Sequence, residues 1–565
     1  MSAADDRLPK PILSKETMLL TAGLLLGLTL LVALLYGRIC HAGFTLDEFS
    51  HLVYPYQTFN GHPEALLGKL FGSWTSGEED GITAYRPTTC ASFVIDYALW
   101  QTKVVGWHIS NLFFYVVGCF LTGAVTNELL KRAVSSRAAL GAGVIAGALM
   151  LVYPGHPDSV ATIVGRVDSL PTAFYLASFY LYLLSRTAAS KGLLVASLIS
   201  FWLALGSKET AITLPAVLFV AELLSLAGPD SNQSKSSHCN SDQSSPDQSS
   251  PDQSSPDQST SKQAKIKKKF VDALKQIAPF IAILGLFAVL RTVVLHGQVG
   301  GYGKIHFKTM LKQFLNFADL STLMKILIPI NEHYPLPQPY TQAMLLSYAL
   351  AVLNLASQAL RNKAFAKVLA FFIFWGIVNV LLTFQIWHIY PNLVGFRLFF
   401  LSSTALCAIL AMGFMVDAKS KAMSVLNALA AIFLGTVWSV VLLNNLKPFE
   451  EAARMMHTLE QQVTELSGTA QSKKERFLLL NLPQDFCGAP MLGKAAFLAV
   501  MMQPPLAKRD CRSQIMVSQP FGSSTAVNLD SLKEEIPLIT RCCSALKCYR
   551  WDEKRGRFVE AQLPQ

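Results

Sequence analysis

Charge is what this sequence has least of. Only 15% of its 565 residues are Asp, Glu, Lys or Arg, whereas soluble chains carry roughly a quarter. That shortage excludes a large water-soluble protein. Cysteine is sparse too, ten residues in all, and no CxxC pair sets up metal-ligand spacing, so a zinc site is not expected. Any basic surface interleaved with aromatics is also missing, which argues against nucleic acid as a partner. Nor is there a repeat relating the two halves, a feature that many transporters carry.

Long apolar runs take the place of charge: 52% of the residues are hydrophobic. The runs lie near 17–36, 108–128, 138–154, 170–185, 192–206, 211–228, 275–293, 341–358, 367–386, 397–415 and 422–443. Each is about long enough to cross ~30 Å of hydrocarbon as a helix. The sequence therefore predicts an all-α polytopic membrane bundle of about eleven transmembrane helices. Basic residues set its orientation. Arg7, Lys10 and Lys15 precede the first run, and Lys131, Arg132 and Arg137 follow the second. Arg186 with Lys191, Lys262 to Lys269, Arg361 with Lys363 and Lys367, and Lys419 with Lys421 continue the alternation. Placing all of these in the cytoplasm puts the amino terminus inside and the carboxyl terminus outside. The net charge of +11 is thus mainly a topology signal. The first run follows a polar stretch and lacks a small-residue cleavage site, the pattern of an anchor rather than a removed signal.

Four segments are expected. Residues 1–228 form an amino-terminal membrane module and residues 273–443 a second one. Between them, 229–272 is low in complexity: Asp-Gln-Ser-Ser-Pro repeats from Asp242, and the tract ends in Lys265-Ile266-Lys267-Lys268-Lys269. Such a tract cannot bury a core and is expected to be a disordered cytoplasmic linker, its basic end against anionic lipid. Residues 444–565 change character. Phe477 to Leu482, ended by Pro483, reads as a buried strand, and its neighbours predict a small α/β domain on the outer side. Cys487, Cys511, Cys542, Cys543 and Cys548 allow one or two disulfides there, with one thiol left over.

Chemistry-bearing residues gather on the outer side. The first outer loop opens with Asp47-Glu48 and continues to Tyr85-Arg86-Pro87; Gly106-Trp107-His108 and Asn111 begin the second span. His156-Pro157-Asp158 leads to Gly165-Arg166-Val167-Asp168, and Ser207-Lys208-Glu209-Thr210 follows the fifth span. Arg291, the His-containing stretch 296–333 and Arg397 share that side. Each has a bland alternative. Asp47 and Glu48 suit a helix N-cap with a solvated neighbour, His108 and Asn111 a mutual bond across one helix face, Arg166 and Asp168 a structural ion pair. Lys208 and Glu209, being adjacent, point apart and need separate partners. Shared sidedness is what favours a substrate path, because ionisable groups in membranes tend to mark such paths. The set suits sugar transfer from a lipid-linked donor. Arginines grip the phosphate and stabilise its leaving charge. A carboxylate accepts the proton of the attacking hydroxyl. One base and direct attack imply inversion at the anomeric carbon.

These motifs resemble the GT-C class of polyprenyl-phosphate-sugar glycosyltransferases, and more closely the membrane part of the tetratricopeptide-repeat O-mannosyltransferases. Order and spacing agree through roughly residues 40–230, with Gly395-Phe396-Arg397-Leu398 suggestive beyond. The resemblance implies a GT-C-like bundle and a polyprenyl- or dolichyl-phosphate monosaccharide donor. It implies a catalytic acidic residue at Asp47, with Glu48 as its neighbour. Tyr85, Arg86, His108, His156, Arg166, Asp168, Lys208, Glu209 and Arg397 are then the candidates for substrate and phosphate binding. Val167 stands where the family has alanine, and no tetratricopeptide periodicity follows the bundle. The acceptor is therefore open between protein and glycolipid. No cofactor is firmly implied. A divalent cation is compatible with the wider class, although Asp47-Glu48 alone is a sparse set for an octahedral ion.

Two other classes compete. A lipid or sugar transporter or flippase wants ionisable groups near mid-bilayer, whereas these cluster at one surface. A non-catalytic assembly subunit is the third reading, since residues 444–565 hold no nucleophile–base pair or phosphate loop. A bacterial inner membrane is the expected location, with the endoplasmic reticulum as the alternative.

Overall fold

Within the described residues, each apolar run read from the sequence centres on helix, because a backbone in hydrocarbon must satisfy its own hydrogen bonds. The computed structural model describes residues 15–74, 82–227, 258–297, 301–302, 319–383, 388–415, 421–469, 475–492, 495–507, 510, 512, 515–518 and 545–562. In chain order, α1 (Lys15–Tyr36) is followed by three short helices in the long first loop: α2 (Ser50–Phe59), α3 (Glu64–Leu70) and α4 (Pro87–Trp100). Then come α5 (Val104–Leu130), α6 (Ser136–Val152), α7 (Pro157–Val160), α8 (Arg166–Ala188), α9 (Lys191–Leu205) and α10 (Leu214–Leu223). The second half holds α11 (Gln258–Val294), α12 (Leu320–Leu327), α13 (Gln338–Arg361), α14 (Lys363–Leu381), α15 (Phe400–Phe414) and α16 (Lys421–Thr469). Among the described residues seven helices are long and apolar enough to cross a membrane: α1, α5, α11, α13, α14, the segment 396–414 and α16. Helices α6 and α9 are apolar but shorter. The protein is a multi-pass helical membrane protein.

Side-chain caps start three of these helices. Ser135 accepts from the Ala138 amide at 3.4 Å, Ser190 from the Leu193 amide at 3.4 Å, and Asn362 from the Ala364 and Phe365 amides at 3.0 and 3.1 Å. Each cap closes a short turn at the basic end of the bundle, satisfying amides that a helix start leaves open. Packing then fixes the helices. Phe179 stacks on Phe371 with centroids 5.6 Å apart, and Tyr175 meets Trp375 at 5.4 Å, joining α8 to α14. Around α1, α6 and α16 a second core forms, in which Tyr153 lies 5.0 Å from Trp438.

Beyond the bundle, α16 runs for 49 residues, roughly 73 Å at ~1.5 Å per residue. It passes without a break through 443–444, where the sequence suggests a boundary. Its far half carries the α/β domain. There β1 (Glu475–Leu480) lies parallel to both β2 (Ile515–Ser518) and β3 (Ala545–Asp552), and β4 (Arg557–Ala561) closes the sheet antiparallel to β3. The short helix Ala495–Met501 and a two-residue ladder at 485–490 complete the domain. Its core is shared with the first loop and the start of α5: Phe44, Phe49, Phe93 and Trp107 pack in one cluster with Met456, Leu479, Leu492 and Trp551. The loop is therefore a folded layer between bundle and sheet, its shape set by contacts distant in sequence.

One expectation changes. Residues 258–272 of the expected linker are helical, part of α11; its lysines are good helix formers and extend the span that follows. The remainder of that tract, 229–257, lies outside the described residues. Cys487 and Cys548 are free thiols, while Cys511, Cys542 and Cys543 lie outside the described residues.

Candidate active site

One end of the bundle collects the predicted residues, because successive helices alternate direction. Glu48 proves the grouping. It sits on a 3-10 turn, Leu46–Phe49, and is 2% exposed. Its carboxylate accepts from the Thr45 amide at 2.6 Å and from the Val164 amide at 3.0 Å. The first bond closes the turn on itself; the second ties it to the loop before α8. Expected beside the catalytic acid, Glu48 is thus a clamp with both oxygens engaged. Asp47 lies on the same turn, and its side chain is outside the described ones.

Arg166 and Asp168 do not pair with each other. Arg166, fully buried, makes its ion pair with Asp96 of α4, donates to the Trp107 carbonyl at 3.1 Å, and lies over the Phe93 ring at 4.7 Å. Asp168 instead takes Lys208, Arg397 at 3.3 Å and the Ser159 hydroxyl at 3.3 Å. It occupies the first turn of α8, where a negative charge is favoured by the helix dipole. Gly165 makes this turn feasible: a Cβ there would sit 2.3 Å from the Ser159 carbonyl oxygen.

Lys208 and Glu209 do point apart. As Lys208 reaches Asp168, Glu209 accepts from Arg86 at 3.1 Å and from Arg291 at 3.3 Å. Thr88 and Thr89 hold the two loops together, through the Thr88 amide to the Gly206 carbonyl at 2.9 Å and the Thr89 hydroxyl to the Ser207 carbonyl at 3.1 Å. Arg397 follows Gly395, whose φ of +87° and missing Cβ let the chain pass the His388 carbonyl. Four cations, Arg86, Lys208, Arg291 and Arg397, therefore surround two carboxylates. Arg397 is the most open, with 30% of its side chain exposed. Burial raises the Glu209 carboxyl, but Arg86 and Arg291 outweigh it and hold the group at about 2.

Four other candidates are placed elsewhere. Tyr85 is buried and packs on Phe287 at 5.8 Å. His108 sets its Nε2 3.1 Å from the Ala42 carbonyl, while Asn111 donates to the Val160 and Thr162 carbonyls at 3.1 and 2.9 Å. The two do not bond each other. His156 is bracketed by the Tyr115 and Ser403 hydroxyls, both at 2.8 Å, and burial drives its imidazole down to about 3. Arg166 is fully covered, as above. Each of these four side chains is engaged by neighbouring protein groups.

No family model matches the chain. Protein O-mannosyl-transferase Tmtc1 of Drosophila melanogaster is 27% identical over 209 residues, 37% of this chain and 24% of the relative. Protein O-mannosyl-transferase TMTC3 of Mus musculus is 30% identical over 159 residues, 27% of this chain and 16% of the relative. The chain resembles protein O-mannosyl-transferases. The matched stretch spans a quarter or less of the length of those relatives. Among solved structures, ArnT from Cupriavidus metallidurans matches in the apo state with a TM-score of 0.43 and 11% identity, over 93% of this chain and 95% of that one. The form bound to undecaprenyl phosphate matches with 0.40 and 10%, over 89% and 91%.

Some of the site is not evident from motifs. Asp96 is a lone carboxylate in an apolar helix, which is itself the signal that a buried cation needs it. His51 on α2 is 3% exposed, and neither ring nitrogen bonds a described residue. It is stacked between Trp74 at 4.3 Å and Phe93 at 4.8 Å. Arg86 lies over Trp74 at 5.5 Å and Arg166 over Phe93, so a cation–aromatic column sets the spacing of two arginines. Burial, reinforced by Lys69, Arg166 and Arg86, holds the His51 imidazole well below its usual range, and it stays neutral. No three His, Cys, Asp or Glu side chains among the described residues form a metal-ligand set.

The low value at Glu209 has a measurable consequence. A carboxyl depressed to about 2 stabilises the fold fully above its unfolded value of about 4.5 and loses that contribution as pH falls toward 2. Glu209→Gln is therefore expected to flatten the fall in thermal midpoint between pH 5 and pH 3. Parallel curves for the two proteins would show that Glu209 is not held down by the arginines.

Proposed function

We propose that this protein is an integral-membrane glycosyltransferase of the GT-C type. It takes a monosaccharide, mannose first among candidates, from a polyprenyl- or dolichyl-phosphate donor. It transfers the sugar to an acceptor hydroxyl at the non-cytoplasmic face. The observation that carries this reading is the ring of Arg86, Lys208, Arg291 and Arg397 around Asp168 and Glu209, beside the turn that bears Asp47. The relatives' names specify protein as acceptor, and a protein hydroxyl is the acceptor we favour here.

In this mechanism Arg397 and Arg291 bind the donor phosphate, exchanging part of their hold on Asp168 and Glu209 for phosphate oxygens. The two carboxylates keep the cations in place before the donor arrives, so little ordering is left to do on binding. Asp47 accepts the proton of the acceptor hydroxyl as its oxygen bonds the anomeric carbon and the carbon–phosphate oxygen bond breaks. The departing phosphate gains charge against the same guanidinium groups. A single displacement inverts the anomeric centre.

Arg397→Met tests the phosphate role. Loss of a charge-assisted hydrogen bond of ~1.5–3 kcal/mol is expected to raise the KM for the donor about 10- to 100-fold. Arg397→Lys should recover only part of that, since it keeps the charge and loses the fork. A donor KM unchanged in both variants would remove Arg397 from the phosphate site.

A further inference from the structure

At the opposite end of the bundle, α8, α10 and α11 enclose a recess of about 290 Å³, close to the lower limit of ligand pockets, about 300 Å³. Its wall carries Arg186, Glu222, Lys268, Lys269 and Asp272. Arg186 and Glu222 cancel each other: Arg186 Nε donates to Glu222 Oε1 at 2.9 Å, and the Tyr182 hydroxyl donates to the same oxygen at 2.5 Å. That bonding fixes one wall. The wall then sets three cations, Arg186, Lys268 and Lys269, against two carboxylates, Glu222 and Asp272; Lys269 is drawn to Glu222 and repelled by Lys367 of α14. Neither Lys268 nor Lys269 has a salt-bridge partner among the described residues. The recess carries surplus positive charge on a rigid frame.

What lies next to it narrows the ligand. On α11, Ile266, Phe270, Leu274 and Ile281 are 70%, 50%, 45% and 44% exposed. In a membrane such a helix surface lies against acyl chains. An anion in the recess and an apolar tail along α11 together describe an amphiphile with an acidic head. Basic recesses between membrane helices, flanked by a polybasic run, suit phosphorylated lipid headgroups. We infer that this recess is a binding site for the phosphate-bearing headgroup of an anionic phospholipid, held by Lys268 and Lys269, with its chains along α11. The site is separate from the transferase cluster and does not depend on the activity proposed there.

The experiment uses the full-length protein in phosphatidylcholine nanodiscs doped with a phosphatidylinositol bisphosphate. Native mass spectrometry after release reads the retained lipid, and thermal unfolding reads its effect. One phosphoinositide per protein and a raised Tm are expected. Lys268→Gln with Lys269→Gln should cut retention about 30-fold, whereas Lys191→Gln with Lys363→Gln, at the same end but outside the recess, should not. Equal loss in both pairs would reduce the effect to general surface charge and overturn the site, as would no retention at all. Full displacement by the free inositol phosphate would assign the recess to a soluble anion and overturn the lipid.

Discussion

Asp47→Asn is expected to insert, fold and melt as the wild type does, and to lose sugar transfer by about 10²- to 10⁴-fold, the usual worth of a positioned general base. The fold should tolerate the change because Glu48 closes the turn through the Thr45 amide and anchors it through the Val164 amide. Asparagine keeps the size of the side chain and removes only the basic carboxylate. Glu48→Gln provides the contrast. It weakens the clamp, so it should lower the thermal midpoint and reduce transfer together, whereas Asp47→Asn separates the two. Activity assayed with a defined lipid-linked donor, alongside the melting curve, makes the comparison. Substantial transfer by a folded Asp47→Asn protein would end its role as the base.

Arg166→Met carries the largest expected effect on stability. The guanidinium is fully buried, paired with Asp96 and packed over Phe93. Removing one partner of a buried pair costs roughly 3–5 kcal/mol, against a total stability of about 5–15 kcal/mol. The variant should therefore accumulate poorly and elute as aggregate on size-exclusion chromatography. Burial already pushes the Asp96 carboxyl up, while Arg166 pulls it down. Without the arginine the carboxyl protonates more readily, which tempers the cost. Adding Asp96→Asn should accordingly restore much of the folded yield without restoring transfer, because the column that spaces Arg86 remains broken. A single Arg166→Met protein as stable as wild type would contradict the pairing.

The helical membrane architecture was legible because apolar length is a local property of a chain. Within the described residues each run read from the sequence centres on helix, and the bond between Glu48 and Val164 puts the Asp47 turn and Arg166 at one end of the bundle. Partner choice was not legible. Arg166 and Asp168 stand two positions apart, yet the first residue of α8 points at α4 and the third at the loop before α10. The sequence shows the pair and conceals the divergence, which follows from helical rotation and from where Asp96 and Lys208 happen to lie. The surroundings of His156 were not legible for a related reason: the partners that bury it, Tyr115 and Ser403, are 41 and 247 positions away. The first outer loop was read as loop because its short helices are stabilised by Met456, Leu479 and Trp551 from the far end of the chain. Adjacency, by contrast, was enough to predict that Lys208 and Glu209 would need different partners.

Label transfer is the most direct test of the central claim, that the cation ring and the Asp47 turn transfer a sugar from a lipid phosphate. Membranes carrying the full-length chain would be supplied with polyprenyl- and dolichyl-phosphate mannose radiolabelled in the sugar, and the protein and lipid fractions counted separately. The account predicts covalent label in an acceptor with the wild-type chain and only background with Asp47→Asn. Label that crosses the bilayer still attached to its lipid, with no covalent product, would contradict it.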